Sequence, residues 1–452
     1  MRYYLLLYTL LSGLGLMAQQ TTMISLPNEG YFDPEILNNE HLLVWMDDNR
    51  GLWVASLDST TGGFNIIDGK EYYIDQSAPM TQSWNAGEFL LDANGWKVIY
   101  SKNVMGVTQL FSGSLSGTNQ LTSGTNPNAG AIVSRNPNYN NGGLLFFNGN
   151  IDSAKAVWSY ISSPTDMNYL GDFEKGWSHG DFLPGNEFAL VFNKKDINGY
   201  YQLFLADSIN QLLQLTSTPF HKQNPMAIKA PEFGNEIILG CIKELPSGDS
   251  LLFFKKNMGQ WEYFSGLGIP PASAYQKFSS SEMFTFQNRT FVSLQIEDSV
   301  GTGLQNAEIW ILSLDGQTSL RVDEQNGTKL RTDPEYYVTN DNIFIYYNIR
   351  FNSTWELWVS KISGGILSSS NEPFNDSKKH YIYPNPTNKY LNIKTDTNSQ
   401  NFELSVYNLT GAKVLDIKNQ NRIDISSFPS GLYFLELHMN NSIETHKILK
   451  IE

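Results

Sequence analysis

The stretch FDPEILNNEHLLVW at 32–45 returns near the far end of the chain as TDPEYYVTNDNIFIYY at 332–347. Each carries Asp-Pro-Glu from its second residue, passes a polar turn and ends in an apolar, aromatic run. The same plan recurs between them. The runs are HLLVWMD (41–47), WKVIYSK (96–102), LLFFNG (144–149), FALVFN (188–193), IILGCIK (237–243), TFVSLQI (290–296) and IFIYYNI (343–349). A second run follows each, centred on Trp53, Phe111, Trp158, Phe204, Phe253, Trp310 and Trp358. In the fifth unit WEYF at 261–264 competes with LLFF at 251–254 for that place. Successive centres lie 58, 47, 46, 49, 57 and 48 residues apart. A period near fifty residues, with several short strands per unit, is that of four-stranded propeller blades.

The repeat predicts an all-β chain: a β-propeller of about seven blades over 19–370, a linker at 371–380 and a small Ig-like β-sandwich over 381–452. Closure can mix strands from the two ends of a propeller, so six or eight blades also fit the spacing. Pro34, Pro79, Pro137, Pro225 and Pro334 stand just upstream of five of the runs. These units resemble the repeats of TolB-type, WD40-like propellers. Trp53, Trp158, Trp310 and Trp358 occupy one repeated strand position and read as filling between blades. Cys241, the one cysteine, sits mid-strand and reads as a small buried hydrophobe.

Composition agrees. The 452 residues carry 31 Lys+Arg against 45 Asp+Glu, a net charge of −14, with 13% aromatic and 17% charged residues. No basic stretch is available for phosphate contacts, which argues against nucleic-acid binding. So many Trp, Tyr and Phe argue against disorder. A single cysteine allows no internal disulfide.

The chain opens MRYYLLLYTLLSGLGLMAQQ (1–20), with a basic residue, an apolar run too short to span a bilayer and a small residue at Ala18. That pattern predicts a signal peptide over 1–18, an oxidising destination and no membrane span after cleavage.

The C-terminal text is YPNPTNKYLNI (383–393), FELSVYNLTGAKVLDI (402–417) and IDISSFPSGLYFLELHMNNSIETHKILKIE (423–452). Its short alternating runs end in Gly, Asn, Pro or Ser and predict a small antiparallel sandwich. Pro384 and Pro386 fix an extended lead-in, and Gly411 suits a hairpin turn. The segment resembles the type A C-terminal sorting domain of the type IX secretion system of Bacteroidetes-type bacteria. The matching residues include Pro384, Asn385, Pro386, Gly411, Gly431, Tyr433, Lys447 and Lys450. The resemblance implies an address read by the outer-membrane translocon, which places the protein on the cell surface or in the medium by way of the periplasm. Asp-Ser followed by a small or aliphatic residue, at Asp58, Asp152, Asp207, Asp249 and Asp298, resembles the O-glycosylation sequon of the same bacteria or marks polar hairpin ends.

Chemistry is sparse. The sequence has no HExxH, GxSxG, P-loop or EF-hand pattern, and its six histidines are scattered. Asp47-Asp48-Asn49-Arg50-Gly51 reads as a hairpin turn because it lacks alternating oxygen ligands and a distal Glu. No metal or cofactor is expected. The densest polar-aromatic segment, GDFEKGWSHGD at 171–181, offers Asp172, Glu174, Trp177, His179 and Asp181 as candidate ligand contacts on an interblade loop. A Trp beside acids and a His could stack on a sugar and bond its hydroxyls. The acidity belongs to the repeat region, since Tyr381–Glu452 holds seven basic and seven acidic residues. The expected function is a binder of glycan or protein. The alternative is a carbohydrate-active hydrolase or lyase, which requires carboxylates from different blades to converge at one mouth of the central channel.

Overall fold

The computed structural model describes residues 20–450 except 26–29, 48–50, 65–71, 77–86, 93–94, 135–142, 151–153, 173–179, 186–188, 209–210, 299–305, 326–327, 352–353, 364–379, 384–386, 396–401, 409–411 and 440–441. Pro79, Pro137, the signal segment 1–18 and residues 371–379 of the linker lie outside the described residues.

Seven four-stranded antiparallel sheets follow one another along the repeat. Blade 1 is Tyr31–Leu37, Leu42–Asp47, Gly51–Ser56 and Tyr72–Asp75. Blade 2 is Glu88–Asp92, Gly95–Val104, Val107–Ser114 and Gly117–Gln120. Blade 3 is Asn128–Val133, Gly143–Asn148, Lys155–Tyr160 and Ser163–Asp172. Blade 4 is Gly180–Phe182, Leu190–Lys195, Tyr201–Ser208 and Gln211–Gln214. Blade 5 is Lys222–Ala230, Glu236–Lys243, Ser250–Asn257 and Gln260–Gly268. Blade 6 is Lys277–Phe286, Arg289–Glu297, Ala307–Ser313 and Ser319–Arg321. Blade 7 takes Arg331–Val338, Asn342–Phe351 and Thr354–Ser363, and its outermost strand is Gln20–Met23 from the start of the chain.

Each repeated run is the second strand of its blade, and each aromatic centre lies on the third. The ambiguity in the fifth unit resolves: LLFF is on the third strand and WEYF on the fourth. The first strand of every blade touches the first strand of the next, including blade 7 with blade 1, so the seven first strands form a ring about the axis.

Burial explains why the aromatics repeat. A blade inside the ring is covered on both faces, so its middle strands read as near-continuous apolar runs. Trp53, Trp158 and Trp310 are buried, and each belongs to a cluster that joins two adjacent blades. Trp45 is wholly buried. It stacks on Tyr31 at 4.9 Å, Trp53 at 6.3 Å and Phe64 at 5.1 Å, and it shares a cluster with Tyr337, Phe344 and Tyr346 of blade 7. Cys241 is buried among blade 4 and blade 5 side chains, and burial pushes its thiol up to about 12.

A second repeat, invisible in the apolar pattern, joins blades through polar groups. Thr122 Oγ1 accepts the Leu110 N–H at 2.9 Å and donates to Gln109 Oε1 at 2.8 Å. Thr216 Oγ1 repeats both bonds with Leu203 N and Gln202 Oε1 at the same distances. In blade 6 Asp323 Oδ2 accepts the Ile309 N–H at 2.9 Å, beside Glu308 in the Gln place. The opening residue of each following blade then joins in. Asn128 bonds Gln109, Lys222 bonds Thr218 and Phe220, and Arg331 bonds Glu324 and Ala307. Arg331 can therefore be buried, since Glu324 and a carbonyl engage its guanidinium, whereas Lys222 is buried on two neutral acceptors and burial pulls its ammonium down to about 8.

The tail forms two facing sheets, His380–Tyr383, Tyr390–Thr395 and Arg422–Asp424 against Glu403–Asn408, Lys413–Lys418, Gly431–Met439 and Ser442–Lys450. Leu391, Ile393, Leu404, Val406, Leu435, Leu437 and Ile448 fill the space between them. The first strand begins at His380, one residue before the expected start of the sandwich.

All ten Trp residues precede residue 381, so tryptophan fluorescence reports on the propeller alone. Trp45→Ala is expected to cost about 3–5 kcal/mol in guanidinium unfolding followed this way. Val414→Ala, on an exposed sandwich position, leaves that transition unmoved.

Candidate functional site

The axis is lined by the seven first strands, and the strand pairing fixes which residues share a level. In each blade one residue of the second strand faces the repeated aromatic. The partners of the residue just before it are Glu35, Glu88, Val133, Asp181, Ala227, Glu282 and Glu335. Five of the seven blades thus place a carboxylate at one height. The signal was in the sequence, where the acid directly follows a Pro, Gly or Ser: DPE, GE, GD, SE and DPE. The recurring prolines were visible, but the acids behind them do not alternate with apolar residues as a strand pattern should.

Next to this level five first strands carry a bulge. Its first residue is left-handed: Asp33 (φ 52), Gly130 (φ 61), Asn224 (φ 49), Ser280 (φ 41) and Asp333 (φ 59). Asp and Asn tolerate that region better than most side chains, and Gly adopts it freely. Pro34, Pro225 and Pro334 follow three of them. A residue at a bulge leaves the ladder, and proline has no N–H to strand there.

The polar groups at this level stitch blade to blade. Asp181 Oδ2 accepts the N–H of Ala227, its counterpart in blade 5, at 2.8 Å. Asn224 Nδ2 donates to the Ser281 carbonyl and hydroxyl of blade 6 at 2.7 and 2.8 Å. Asn348 of blade 7 accepts the Asp33 N–H at 3.1 Å and donates to the Tyr31 carbonyl at 2.8 Å.

Between blades 7 and 1 the carboxyl groups of Asp33 and Asp333 interact. Burial, then the Asp33 charge and hydrogen bond, then Glu335 and Glu282 hold the Asp333 carboxyl well above the usual carboxylate range. Residues 31–33 begin a first strand, so they lie at the same end of the propeller as the hairpins joining second to third strands. At that end Phe32 meets Trp355 of blade 7 edge-on, with centroids 5.7 Å apart, and the Arg350 guanidinium lies 5.9 Å from the Trp355 ring. The result is an aromatic and cationic lip beside a carboxylate ring.

The segment expected to bind ligand runs from the outermost strand of blade 3 to the innermost strand of blade 4, at this same end. Asp172 closes the former, paired with Lys155, and Asp181 lies on the latter. Glu174, Trp177 and His179 lie outside the described residues. The structure thus gives Asp181 an interblade bond and brings it to the axis, away from Asp172. Asp47 pairs with Gly51 across a hairpin, in keeping with a turn. Among the described residues no group of His, Cys, Asp and Glu has the spacing of a metal site, and no helix is long and apolar enough to cross a membrane. Asp249 is buried, accepting from Lys277 Nζ at 3.0 Å and Phe278 N at 3.1 Å, which makes it an interior strut.

In the tail, Tyr433 is buried and its hydroxyl donates to the Pro429 carbonyl at 2.8 Å. Gly431 opens the strand that ends at Met439. Lys450 is buried and bridges in parallel to Thr387, which ties the last strand to the segment after Pro386. Lys447 lies on that last strand. Pro384, Asn385, Pro386 and Gly411 lie outside the described residues.

Comparison with known proteins bears on both parts. The family model of the secretion system C-terminal sorting domain matches residues 381–451. The tail is a type IX sorting domain, and it addresses the chain to the cell surface or the medium through the periplasm. No curated protein matches the chain. Among solved structures, an oligogalacturonate lyase of Vibrio parahaemolyticus is similar with TM-score 0.50 at 9% identity, over 76% of this chain and 94% of that one. A manganese complex of oligogalacturonate lyase gives 0.49 at 9%, over 78% and 96%. The propeller domain of the trilobed protease of Pyrococcus furiosus gives 0.43 at 12%, over 76% and 99%. At these identities the likeness is one of fold, and the fold is the propeller.

Asp181→Ala strands the Ala227 N–H and is expected to lower propeller stability by about 1–3 kcal/mol. Asp181→Asn keeps an acceptor oxygen and should cost clearly less. Equal unfolding midpoints for Asp181→Ala and the native chain would remove the interblade role.

Proposed function

We propose that this is an exported protein whose propeller binds an extracellular glycan or protein at the end of the axis where blades 7 and 1 meet. The sorting domain supplies the destination. The observation that carries the binding half is the lip of Phe32, Trp355 and Arg350 beside the carboxylate ring. An aromatic face stacks on a sugar ring or an apolar side chain, and the flanking charges take up hydroxyl or ionic groups. Asp172 and Asp181 lie at the same end, and Glu174, Trp177 and His179, between them in sequence, are further candidate contacts by residue type. Residues 1–18 act as the signal peptide in this reading, and the strand Gln20–Met23 follows directly. The repeats suit the TolB-type propeller class, and the sorting domain suits a Bacteroidetes-type source.

One feature favours the second reading, a carbohydrate-active hydrolase or lyase: five blades place a carboxylate at one height of the axis, and such chemistry needs carboxyls from different blades. Glu35, Glu88 and Glu335 are buried, which weighs against their reaching a sugar, so binding is the better-supported function. The lyase named among the similar structures lends its fold to this argument and no chemistry.

The test is a glycan array with the purified full chain, followed by a reducing-end assay on every glycan retained. Binding without sugar release is expected, and Trp355→Ala should weaken it about tenfold, or 1.4 kcal/mol. Sugar release would overturn the binder in favour of the enzyme. A blank array would remove the glycan and leave a protein ligand. Deleting 381–452 should leave the protein in the periplasm, and undiminished export of that truncation would contradict the address.

A further inference from the structure

We propose that the outer strand of blade 4, Gln211–Gln214, is the edge through which two copies of this chain pair with each other. In every blade the fourth strand ends its sheet, so a row of backbone N–H and C=O groups faces outward there. Folded proteins guard such edges with charge, proline or bulges, because an open edge accepts another strand.

Four of the other outer strands are guarded in this way. Ser163–Asp172 carries Pro164 and Asp166, Gln260–Gly268 carries Glu262, and Ser319–Arg321 ends in Arg321. Tyr72–Asp75 ends in Asp75, which is paired with Lys102 at 2.9 Å. Gly117–Gln120 and Gln20–Met23 lack charge but present mostly polar side chains. Blade 4 departs from both patterns. Its outer strand has neither charge nor proline, and the adjacent Leu212 and Leu213 are 44% and 48% exposed. The sequence carries no charged residue from Ser208 to Phe220.

Pairing inside the blade fixes which groups face out. Leu205 pairs with Leu213 and Phe204 with Gln214, and the Leu215 N–H donates to the Leu203 carbonyl at 2.8 Å. Hydrogen-bonded pairs alternate along an antiparallel ladder, so Leu213 and Leu215 turn their backbone groups inward, and Leu212 and Gln214 turn theirs outward. A two-fold axis through Leu213 sets Leu212 opposite the partner's Gln214, and Gln214 opposite the partner's Leu212. Each of these pairs exchanges two backbone bonds, and the two Leu213 side chains meet in the close pair between them. Leu213 lies on the side of the sheet where Leu205 packs toward blade 5, and Leu212 on the side where Ala206 packs toward blade 3. Both faces of the joined sheet therefore gain apolar cover.

Charge favours a second copy as the occupant. Each chain carries −14, so two copies repel wherever their contact is acidic. An uncharged edge avoids that repulsion. A two-fold contact also sets each edge against itself, which Leu and Gln tolerate and a like-charged edge does not. Four residues make a small interface, so the dimer is a weak one, with a Kd of roughly 1 µM to 1 mM.

Sedimentation velocity of the full chain across that concentration range is the test. The native chain is expected to pass from monomer to dimer as concentration rises. Leu213→Lys and Leu213→Glu each bring two like charges together on the axis, so either variant alone should stay monomeric. An equal mixture of the two should regain the dimer, because opposite charges then face each other. Leu115→Lys, at a 56% exposed position on blade 2, should dimerise as the native chain does. Hydrogen exchange on the native chain needs no variant: the Leu212 and Gln214 amides should slow as concentration rises, while Gly117–Gln120 does not change. A native chain that stays monomeric throughout would overturn the proposal, as would a dimer that Leu213→Lys leaves intact. A mixture no more associated than its components would overturn the two-fold pairing at Leu213.

Discussion

Closure of the ring is the constraint on which the rest depends. A blade is a sheet of four strands with two apolar faces, and neither face is covered until a neighbour stands on each side. Six of the seven contacts form between blades that follow each other in the chain. The last must be made by residues from opposite ends of the repeat. The protein completes blade 7 with Gln20–Met23 before entering blade 1. Tyr31, Trp45 and Trp53 of blade 1 then share one cluster with Tyr337, Phe344, Leu357 and Val359 of blade 7. Apolar burial supplies the energy there. The polar bonds of Asn38, Asn348 and Tyr346 set the register, since each reaches a particular backbone group.

The same closure makes the axial chemistry. First strands that must touch around a ring bring equivalent positions together, and here those positions are acidic in five blades. Like charges gathered at one level raise one another's proton affinity. The fold relieves this in two visible ways. Asp181 takes a backbone N–H from the next blade, and burial with neighbouring acids holds the Asp333 carboxyl well above the usual carboxylate range. Structural and functional readings of an acidic ring are often set against each other. In this molecule Asp181, which holds blade 5, belongs to the same level of first-strand acids that lies beside the lip of Phe32, Trp355 and Arg350.

The fold was legible because its strongest signal is periodic. Seven aromatics from Trp53 to Trp358 recur for one physical reason, the need to fill the gap between adjacent blades. The tail was legible for a different reason, since its Pro-Asn-Pro, Gly and Tyr positions are individually specific. The axial site was not legible in the same way. Glu35, Glu88 and Glu282 are ordinary residues in ordinary strands until the pairing register puts them level, and register is a property of the closed ring. The Gln109–Thr122 and Gln202–Thr216 bonds escaped notice for a related reason. QLF and QLT repeat in blades 2 and 4, but in blade 6 Glu308 and Asp323 fill the same places with other letters. The segment at 171–181 stood out by composition, which marks polar loops without saying what they face.

The account makes the closing strand the element that holds the ring and, through it, the axial site. Calorimetry of the chain lacking residues 20–25, beside the chain that retains them, tests this most directly. The prediction is a marked fall in the propeller transition, with loss of its single cooperative peak and no change in the sandwich. A propeller transition of unchanged midpoint and shape in the shortened chain would contradict it.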